Sequence, residues 1–403
     1  MSQTPDRSTP TDLLWPGDHL AGDLFTEAAL FEAVLRMESL WLSGLHALGL
    51  CPVPVEELGF SFDRQQLRSE ITASGNPVAP FVAAVRRSLE SEAPEAAPWL
   101  HRGLTSQDVL DTVLMLEAKR TVEIVRGRMV HQIHALAGLA DRHRGTRQTG
   151  RTLTQPAVPI TFGLKAAQWL AGVLDAYDDV AALRFPIQLG GAAGTLAAIA
   201  ELGVPEPLAV AATYAEALEL HASLPWHTNR APVTRIGDAL ARCTDAWGRI
   251  ANDVLTLNRP EIGELEETTG GTSSTMPHKQ NPVGAVLVRR AALAGPQLAA
   301  TLHLAAADTG DERPGGAWHA EWPALRDLGR RTAATAHLAA TMIDGLRVDA
   351  HRMEDNLLEH EQDMLAEQAT MAELAGHAPQ ADYLGVADAI VDAVLTRAKG
   401  VTA

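Results

Sequence analysis

The chain has 403 residues, a formal net charge of −17, 46% hydrophobic but only 4% aromatic residues, and is rich in alanine and leucine. That length can bury a large core and corresponds to two or three average domains, and the composition favours helix over sheet. The acidic balance argues against nucleic acid and anionic membrane as partners, so an anionic substrate has to meet a locally basic pocket. Residues 1–18 read as a disordered lead-in. From Leu24 to Leu50 an apolar pattern of helical period runs until Gly49 and Cys51-Pro52-Val53-Pro54, and a short helical region continues to about Leu100. Between Thr105 and about Ile343 lie long amphipathic segments broken at His143-Arg144-Gly145, Leu189-Gly190-Gly191 and Leu224-Pro225-Trp226, the pattern of a helical bundle. Asp344 to Ala403 is a small helical tail. The expected architecture is all-α. It has an N-terminal helical domain at 19–104, a long central helical bundle at 105–343 carrying a loop at 268–283, and a small C-terminal helical domain at 344–403.

Cys51 and Cys243 lack metal-ligand spacing and read as reduced core thiols. Met1 to Pro10 is polar, with no apolar signal core, and no run of about 18 apolar residues occurs, so a cytoplasmic protein is expected.

Four segments carry chemistry. Gly270-Gly271-Thr272-Ser273-Ser274-Thr275-Met276-Pro277-His278-Lys279-Gln280-Asn281-Pro282-Val283 joins glycines and hydroxyls to one cation and one amide. A serine acts as a base only where positive charge and N–H donors hold its deprotonated form, and Lys279 can supply that charge. In His101-Arg102-Gly103-Leu104-Thr105-Ser106-Gln107-Asp108, Thr105 and Ser106 can cap the helix that follows. Their hydroxyls and its free N–H groups would make a carboxylate site, although a capping box alone also explains the Thr-Ser-x-Asp pattern. In Gly150-Arg151-Thr152-Leu153-Thr154-Gln155-Pro156, Arg151 offers bidentate carboxylate binding and Gln155 a neutral donor, ahead of a helix expected to start at the proline. A turn-capping role for Arg151 is the plainer alternative. Finally, Trp318-His319-Ala320-Glu321-Trp322 places an imidazole and a carboxylate between two indoles, an arrangement that either tunes acid–base chemistry or packs helices. Arg230, in Trp226-His227-Thr228-Asn229-Arg230, is either a site cation or a solvated surface residue. The Gly190-Gly191-Ala192-Ala193-Gly194-Thr195 segment lacks the lysine of a phosphate loop and reads as a tight turn starting a helix.

Ser273 to Asn281 resembles the mobile catalytic loop of the fumarase/aspartase superfamily, Gly-Ser-x-x-Met-x-x-Lys-x-Asn, with Thr272 where that family has glycine. Residues 150–155 resemble its Gly-Arg-Thr-His-x-Gln pattern, with Leu153 in place of the histidine. Ser74-Gly75-Asn76-Pro77-Val78 aligns with a segment that supplies another histidine in adenylosuccinate lyases, and Asn76 stands in its place; His101 aligns with a site histidine of those enzymes. The two losses argue against adenylosuccinate cleavage. Gly-Ala-Trp-His-Ala-Glu-Trp, Ser-Gly-Asn-Pro-Val, Thr-Ser-Gln-Asp, Thr-Phe-Gly-Leu-Lys-Ala-Ala at 161–167 and Met-Pro-His-Lys-x-Asn-Pro-Val resemble bacterial 3-carboxy-cis,cis-muconate cycloisomerases over roughly residues 24 to 350.

The resemblance implies a homotetramer whose central helices form a larger bundle and whose active sites each draw on three chains. It implies cofactor-independent addition or elimination at a carbon next to a carboxylate, with no metal. Lactonisation of the cycloisomerase type comes first. The alternative is a lyase releasing fumarate from a substituted succinate such as nitrosuccinate or argininosuccinate, where a leaving group like nitrite needs no acid. By the same resemblance Ser273 transfers the proton, Ser274 being the base if the register shifts, and Lys279 and Asn281 stabilise the aci-carboxylate. Thr105, Ser106, Arg151 and Gln155 hold the carboxylates of a small di- or tricarboxylate substrate. His101, Asn76, Met276 and Arg230 complete the pocket, and His319 is the candidate second acid or base.

Overall fold

The computed structural model describes residues 12–55, 58–59, 62–269, 271–272 and 280–401. Its elements in chain order are α1 (Glu27–Ala47), α2 (Arg64–Ser74), α3 (Val78–Glu92), α4 (Ser106–Arg142), β1 (Arg147–Thr152), β2 (Gln155–Thr161), α5 (Phe162–Ala181), α6 (Ala197–Glu201), α7 (Pro207–Ala217) and α8 (Ala231–Leu257). There follow β3 (Leu265–Glu267), β4 (Gly271–Thr272), β5 (Gln280–Asn281), α9 (Val283–Ala307), α10 (Gly316–Asp344), β6 (Leu346–Val348), α11 (Ala350–Leu358), α12 (Glu361–Met364), α13 (Ala366–Ala375) and α14 (Ala387–Ala398). The all-α class holds. Strands among the described residues are short and form three two-stranded antiparallel pairs, β1–β2, β3–β6 and β4–β5.

Helix starts follow local chemistry. Thr26 Oγ1 accepts from Ala29 N at 3.2 Å, Asp63 Oδ1 from Gln65 N and Gln66 N at 2.8 and 2.9 Å, and Thr161 Oγ1 from Leu164 N at 3.1 Å. Each such cap contributes about 1 kcal/mol by satisfying donors that the first turn leaves free.

The chain divides into two compact units, Met1–Glu123 with Leu183–Asp238 and Gln297–Arg330, and Ile124–Ala182 with Ala239–Pro296 and Arg331–Ala403. In the first unit, Phe31 of α1 stacks on Phe81 of α3 at 4.5 Å between centroids, and Leu24, Met37, Leu42, Leu45 and Phe81 are fully buried. Each large side chain of that kind contributes roughly 1.5–3 kcal/mol by leaving water. In the second unit, Trp247 Nε1 on α8 donates to Gln132 Oε1 on α4 at 2.7 Å, and Gln132 Nε2 donates to the Ala336 carbonyl of α10 at 2.8 Å. That chain of bonds satisfies the polar atoms of an otherwise apolar helix interface. A Cβ at Gly295 of α9 would lie 2.6 Å from Thr244 Oγ1 of α8, so the close approach of these helices requires glycine there.

A helix starting at Pro156 is one local expectation that fails, and a disordered lead-in through residue 18 is another, since Trp15 and Asp18 are buried and Asp18 Oδ2 accepts from Arg330 Nη2 at 2.8 Å. Leu153 and Thr154 have φ of 48° and 72°, the left-handed pair that closes a tight hairpin, and Pro156 instead lies in β2 opposite Arg151. The sheet has only two strands, so the missing N–H groups of Pro156 and Pro159 leave no third strand unpaired. Helix α5 begins six residues later, at Phe162, with Thr161 as its cap.

Candidate active site

In the first unit the start of α4 is built around Asp108. Its Oδ2 accepts from Thr105 N at 3.0 Å, the return half of a capping box, and from Gly191 N at 3.0 Å; Oδ1 accepts from Gly190 N at 2.8 Å and Gln188 Nε2 at 3.3 Å. Burial pushes the Asp108 carboxyl above the usual carboxylate range, and the hydrogen bonds from Thr105, Gly190 and Gln188 with the nearby His227 partly oppose that. The glycine turn at 190–191 thus serves as a donor cradle for a side chain of the protein, with α6 starting at Ala197. Thr105 and Ser106 stay half-buried at the helix start. The exposed Arg313 guanidinium donates to Thr105 Oγ1, which sets a cation beside the pair expected to take a carboxylate.

Arg230 is neither solvated nor free. It is 2% exposed, and its five N–H groups are all engaged. Nη1 and Nη2 donate to Asp111 Oδ2 and Oδ1 at 2.7 and 2.9 Å, Nε donates to Glu321 Oε2 at 3.0 Å, Nη2 also reaches Glu321 Oε1, and Nη1 also reaches the His227 carbonyl at 3.2 Å. Burial works against the guanidinium charge, but the two carboxylates more than offset it and push its pKa up. The indole of Trp226 lies over it at 4.7 Å, and Trp318 Nε1 donates to Asp111 Oδ1 at 2.9 Å. The Trp318-to-Trp322 motif is therefore packed into an ion network. Glu321 faces Arg230, whereas the exposed His319 turns the other way. Its Nδ1 lies 3.0 Å from the Gly315 carbonyl and its Nε2 2.8 Å from the Gly75 carbonyl, and a neutral ring can donate to only one of them. Next to Gly75, Asn76 Oδ1 accepts from Val78 N and Ala79 N at 3.1 and 3.2 Å, so this side chain caps α3. His101, also half-buried, meets the buried Glu38 of α1.

In the second unit the β1–β2 hairpin carries Arg151 and Gln155. At Gly150 the register shifts, and a Cβ there would lie 2.5 Å from the Val158 carbonyl oxygen, so glycine is required. Arg151 is met end-on by the fully buried Glu264, Nη2 to Oε1 at 2.7 Å and Nη1 to Oε2 at 3.3 Å, and Nη1 also reaches the Thr149 carbonyl at 3.4 Å. Glu264 is further held by Gln148 Nε2 at 2.5 Å and Asn356 Nδ2 at 2.8 Å. This leaves the Nε/Nη2 edge of Arg151 without a partner among the described residues, and that edge can take a second carboxylate bidentately. Gln155 is exposed, its Nε2 3.3 Å from Thr154 Oγ1, and Leu153 at the tip is 96% exposed.

Ser273, Ser274, Met276 and Lys279 lie outside the described residues. The base of their loop is described: Gly271 pairs with Asn281 and Thr272 with Gln280. Immediately after it, Glu267 caps α9, with Oε1 accepting from Gly284 N at 2.8 Å and Oε2 from Ala285 N at 2.9 Å. A Cβ at Gly284 would lie 2.5 Å from Glu267 Oε1, so the cap depends on that glycine. Among the described residues, no group of three or more His, Cys, Asp or Glu side chains is placed to hold a metal ion, and no helix is long and apolar enough to cross a membrane.

The sequence reading missed the anionic partners Glu38, Asp111, Glu264 and Glu267. Only Asp108 carried a local signal, its place three residues after Thr105.

The helical fold, with the β4–β5 pair at the base of the hydroxyl-rich segment, is that of a lyase-type enzyme. A family model described as Lyase matches residues 65–294, and the chain belongs to that family, within the fumarase/aspartase superfamily. It is 43% identical over 364 residues to nitrosuccinate lyase of Streptomyces davaonensis, covering 88% of this chain and 75% of that protein. It is 36% identical over 377 residues to 3-carboxy-cis,cis-muconate cycloisomerase of Bradyrhizobium diazoefficiens, covering 91% of this chain and 81% of that one. The crystal structure of 3-carboxy-cis,cis-muconate lactonizing enzyme from Pseudomonas putida is similar with a TM-score of 0.80 at 28% identity, over 94% of this chain and 96% of that one.

Proposed function

We propose that the chain eliminates a stable anion from a substituted succinate, as in nitrosuccinate lyase, releasing fumarate without a cofactor. The observation that carries this reading is Leu153, fully solvent-facing where the superfamily pattern has histidine. An isobutyl group cannot donate a proton, so the leaving group has to depart as a stable anion, and nitrite does. In the step, the proton on the carbon next to the carboxylate goes to the base, its electron pair becomes the new C=C bond, and nitrite leaves with its own pair. Ser273 is the base, and Lys279 and Asn281 stabilise the aci-carboxylate. Thr105 and Ser106 at the helix start take one carboxylate and the free edge of Arg151 takes the other, with Gln155 and Met276 beside them. Arg230 and Asn76 stay outside this set, because their polar groups already hold the protein together. The 43% identity to nitrosuccinate lyase over most of the chain supports the reading.

Lactonisation of 3-carboxy-cis,cis-muconate is the second reading, favoured by the cycloisomerase relative and by the likeness to the lactonizing enzyme. Exposed apolar residues on α9, Val286 at 52% and Leu304 at 71%, support a homotetramer with active sites shared between subunits. Purified enzyme offered nitrosuccinate, argininosuccinate and 3-carboxymuconate decides between them: fumarate raises ultraviolet absorbance, while lactonisation consumes that of the diene. Ser273→Ala should keep substrate binding and lower turnover by roughly two to four powers of ten. A nearly silent Ser273→Ala beside a crippled Ser274→Ala would move the base to Ser274.

A further inference from the structure

The chain around His101 is held in a costly shape. His101 itself has φ of 60°, a left-handed conformation that costs an ordinary L-residue about 1–3 kcal/mol and persists only where its surroundings enforce it. Gly103 follows at φ 89°, and Trp41 Nε1 of α1 clamps the Arg102 carbonyl at 2.8 Å. Three residues before Trp41 on the same helix, Glu38 enters from below, 1% exposed, with Oε1 2.6 Å from His101 Nδ1. Its other oxygen, Oε2, is buried and has no hydrogen-bond partner among the described residues. A carboxylate tucked away with one imidazole as its donor is an expensive arrangement for stability alone, since replacing it with an apolar residue of similar size would remove the desolvation cost.

We propose that Glu38 is a positioning residue: it holds His101 in the Nδ1–H tautomer and fixes the ring, so that Nε2 is a proton-accepting group at the start of α4. The chemistry dictates the tautomer. An ionised carboxylate only accepts, so the proton between the two groups belongs to Nδ1, and the lone pair is on Nε2, which has no partner among the described residues. The use of that lone pair rests on the elimination reading. Each turnover takes one proton from the carbon next to a carboxylate. The base hands that proton on to His101 Nε2 and is thereby restored, the positive charge formed on the ring faces Glu38 through Nδ1–H, and the proton then leaves to water from the partly exposed ring, restoring the neutral tautomer. No oxidant, reductant or co-reactant enters the balance. A histidine four residues before Thr105 is thereby tied to the carboxylate site by a residue 63 positions away in the chain.

The test uses the full-length enzyme with 15N-labelled histidine, the His101 signals being assigned by their loss in His101→Gln. Wild-type enzyme should show a protonated Nδ1 and a bare Nε2, Glu38→Asp should keep that tautomer, and the isosteric Glu38→Gln should lose it. In steady-state kinetics Glu38→Gln should lower kcat about ten- to a hundred-fold, the usual worth of a carboxylate that orients a working histidine, with KM changed little. Glu38→Asp should restore most of it, and adding Glu38→Gln to His101→Gln should cost nothing more. A protonated Nε2 in the wild type, a tautomer unchanged in Glu38→Gln, or additive losses in the double variant would each overturn the proposal. Absence of turnover with every carboxylate offered would sink the elimination reading instead, and the tautomer would still decide the part about Glu38.

Discussion

Arg230→Met is the most demanding perturbation of the first unit, because it removes five donors and leaves the volume nearly filled. The side chains of Asp111 and Glu321 are 0% and 1% exposed in their pairs with Arg230. Asp111 would keep Gln107 Nε2 at 3.2 Å and Trp318 Nε1 at 2.9 Å, whereas Glu321 has no other donor among the described residues. Breaking a buried pair by deleting one partner costs about 3–5 kcal/mol, and here one deletion strips two carboxylates, so the upper half of that range is expected. The loss should depend on pH in a definite sense. Burial already pushes the Glu321 carboxyl up, and the hydrogen bond and charge of Arg230 are what hold it down. Without Arg230 the folded-state value rises further above the unfolded one, near 4.3. A raised value means that the folded chain holds the proton more tightly, so stability is retained in acid and lost as pH rises through the folded value. Urea unfolding followed by circular dichroism should therefore show Arg230→Met less stable than wild type by several kcal/mol at pH 8, less so at pH 5, and partly rescued at pH 8 by adding Glu321→Gln. A loss under ~1 kcal/mol at pH 8, or one equal at both pH values, would refute this account of the network.

Arg151→Lys keeps the charge but gives up the free bidentate edge; with hydrogen bonds to charged groups worth about 1.5–3 kcal/mol, KM for a dicarboxylate should rise roughly ten- to a hundredfold, and an unchanged KM would remove Arg151 from the substrate set. Gly284→Ala should drive Glu267 off the start of α9, lowering stability by about 1–2 kcal/mol and turnover as well, since Asn281 and the loop precede that turn; wild-type kinetics would separate loop from cap. Burial, aided by the nearby Arg142, pushes the His143 imidazole down, so its contribution to stability is full above about pH 6.5 and is lost as pH falls through the folded value. His143→Gln should flatten the acid side of the stability profile, and an unchanged profile would show that other groups set it.

What the sequence made legible was periodicity and short motifs. Apolar spacing at helical period marks α1 and the long segments after Thr105 because each helix buries one face, and Thr105 with Asp108 announces the start of α4 because the carboxylate three residues on reaches back to the Thr105 N–H within one turn. The β1–β2 hairpin was hidden for an equally local reason. Its turn uses Leu153 and Thr154 in a left-handed conformation that residues of those types seldom adopt, so nothing in the string Arg-Thr-Leu-Thr-Gln-Pro signalled a reversal, and Pro156 read as a helix start.

The charge pairing was hidden for a different reason, and it changes what a motif cation means. Arg151 and Arg230 look equivalent in the sequence, each an arginine in a short polar run. Their partners are 113 residues away for Arg151, and 119 and 91 residues away for Arg230, so no local pattern reveals them. Glu264 approaches Arg151 end-on and leaves one bidentate edge open, whereas Asp111 and Glu321 between them occupy both edges of Arg230 and close it. Guanidinium geometry, a fork with two usable edges, is therefore what separates a cation able to hold a substrate from one that holds the protein together. A second carboxylate brought to the free edge of Arg151, by substituting glutamate for its cross-strand partner Pro156, should compete with dicarboxylate substrate and raise KM without unfolding the hairpin. Pro156→Glu with unaltered KM would mean that the open edge does not face the substrate.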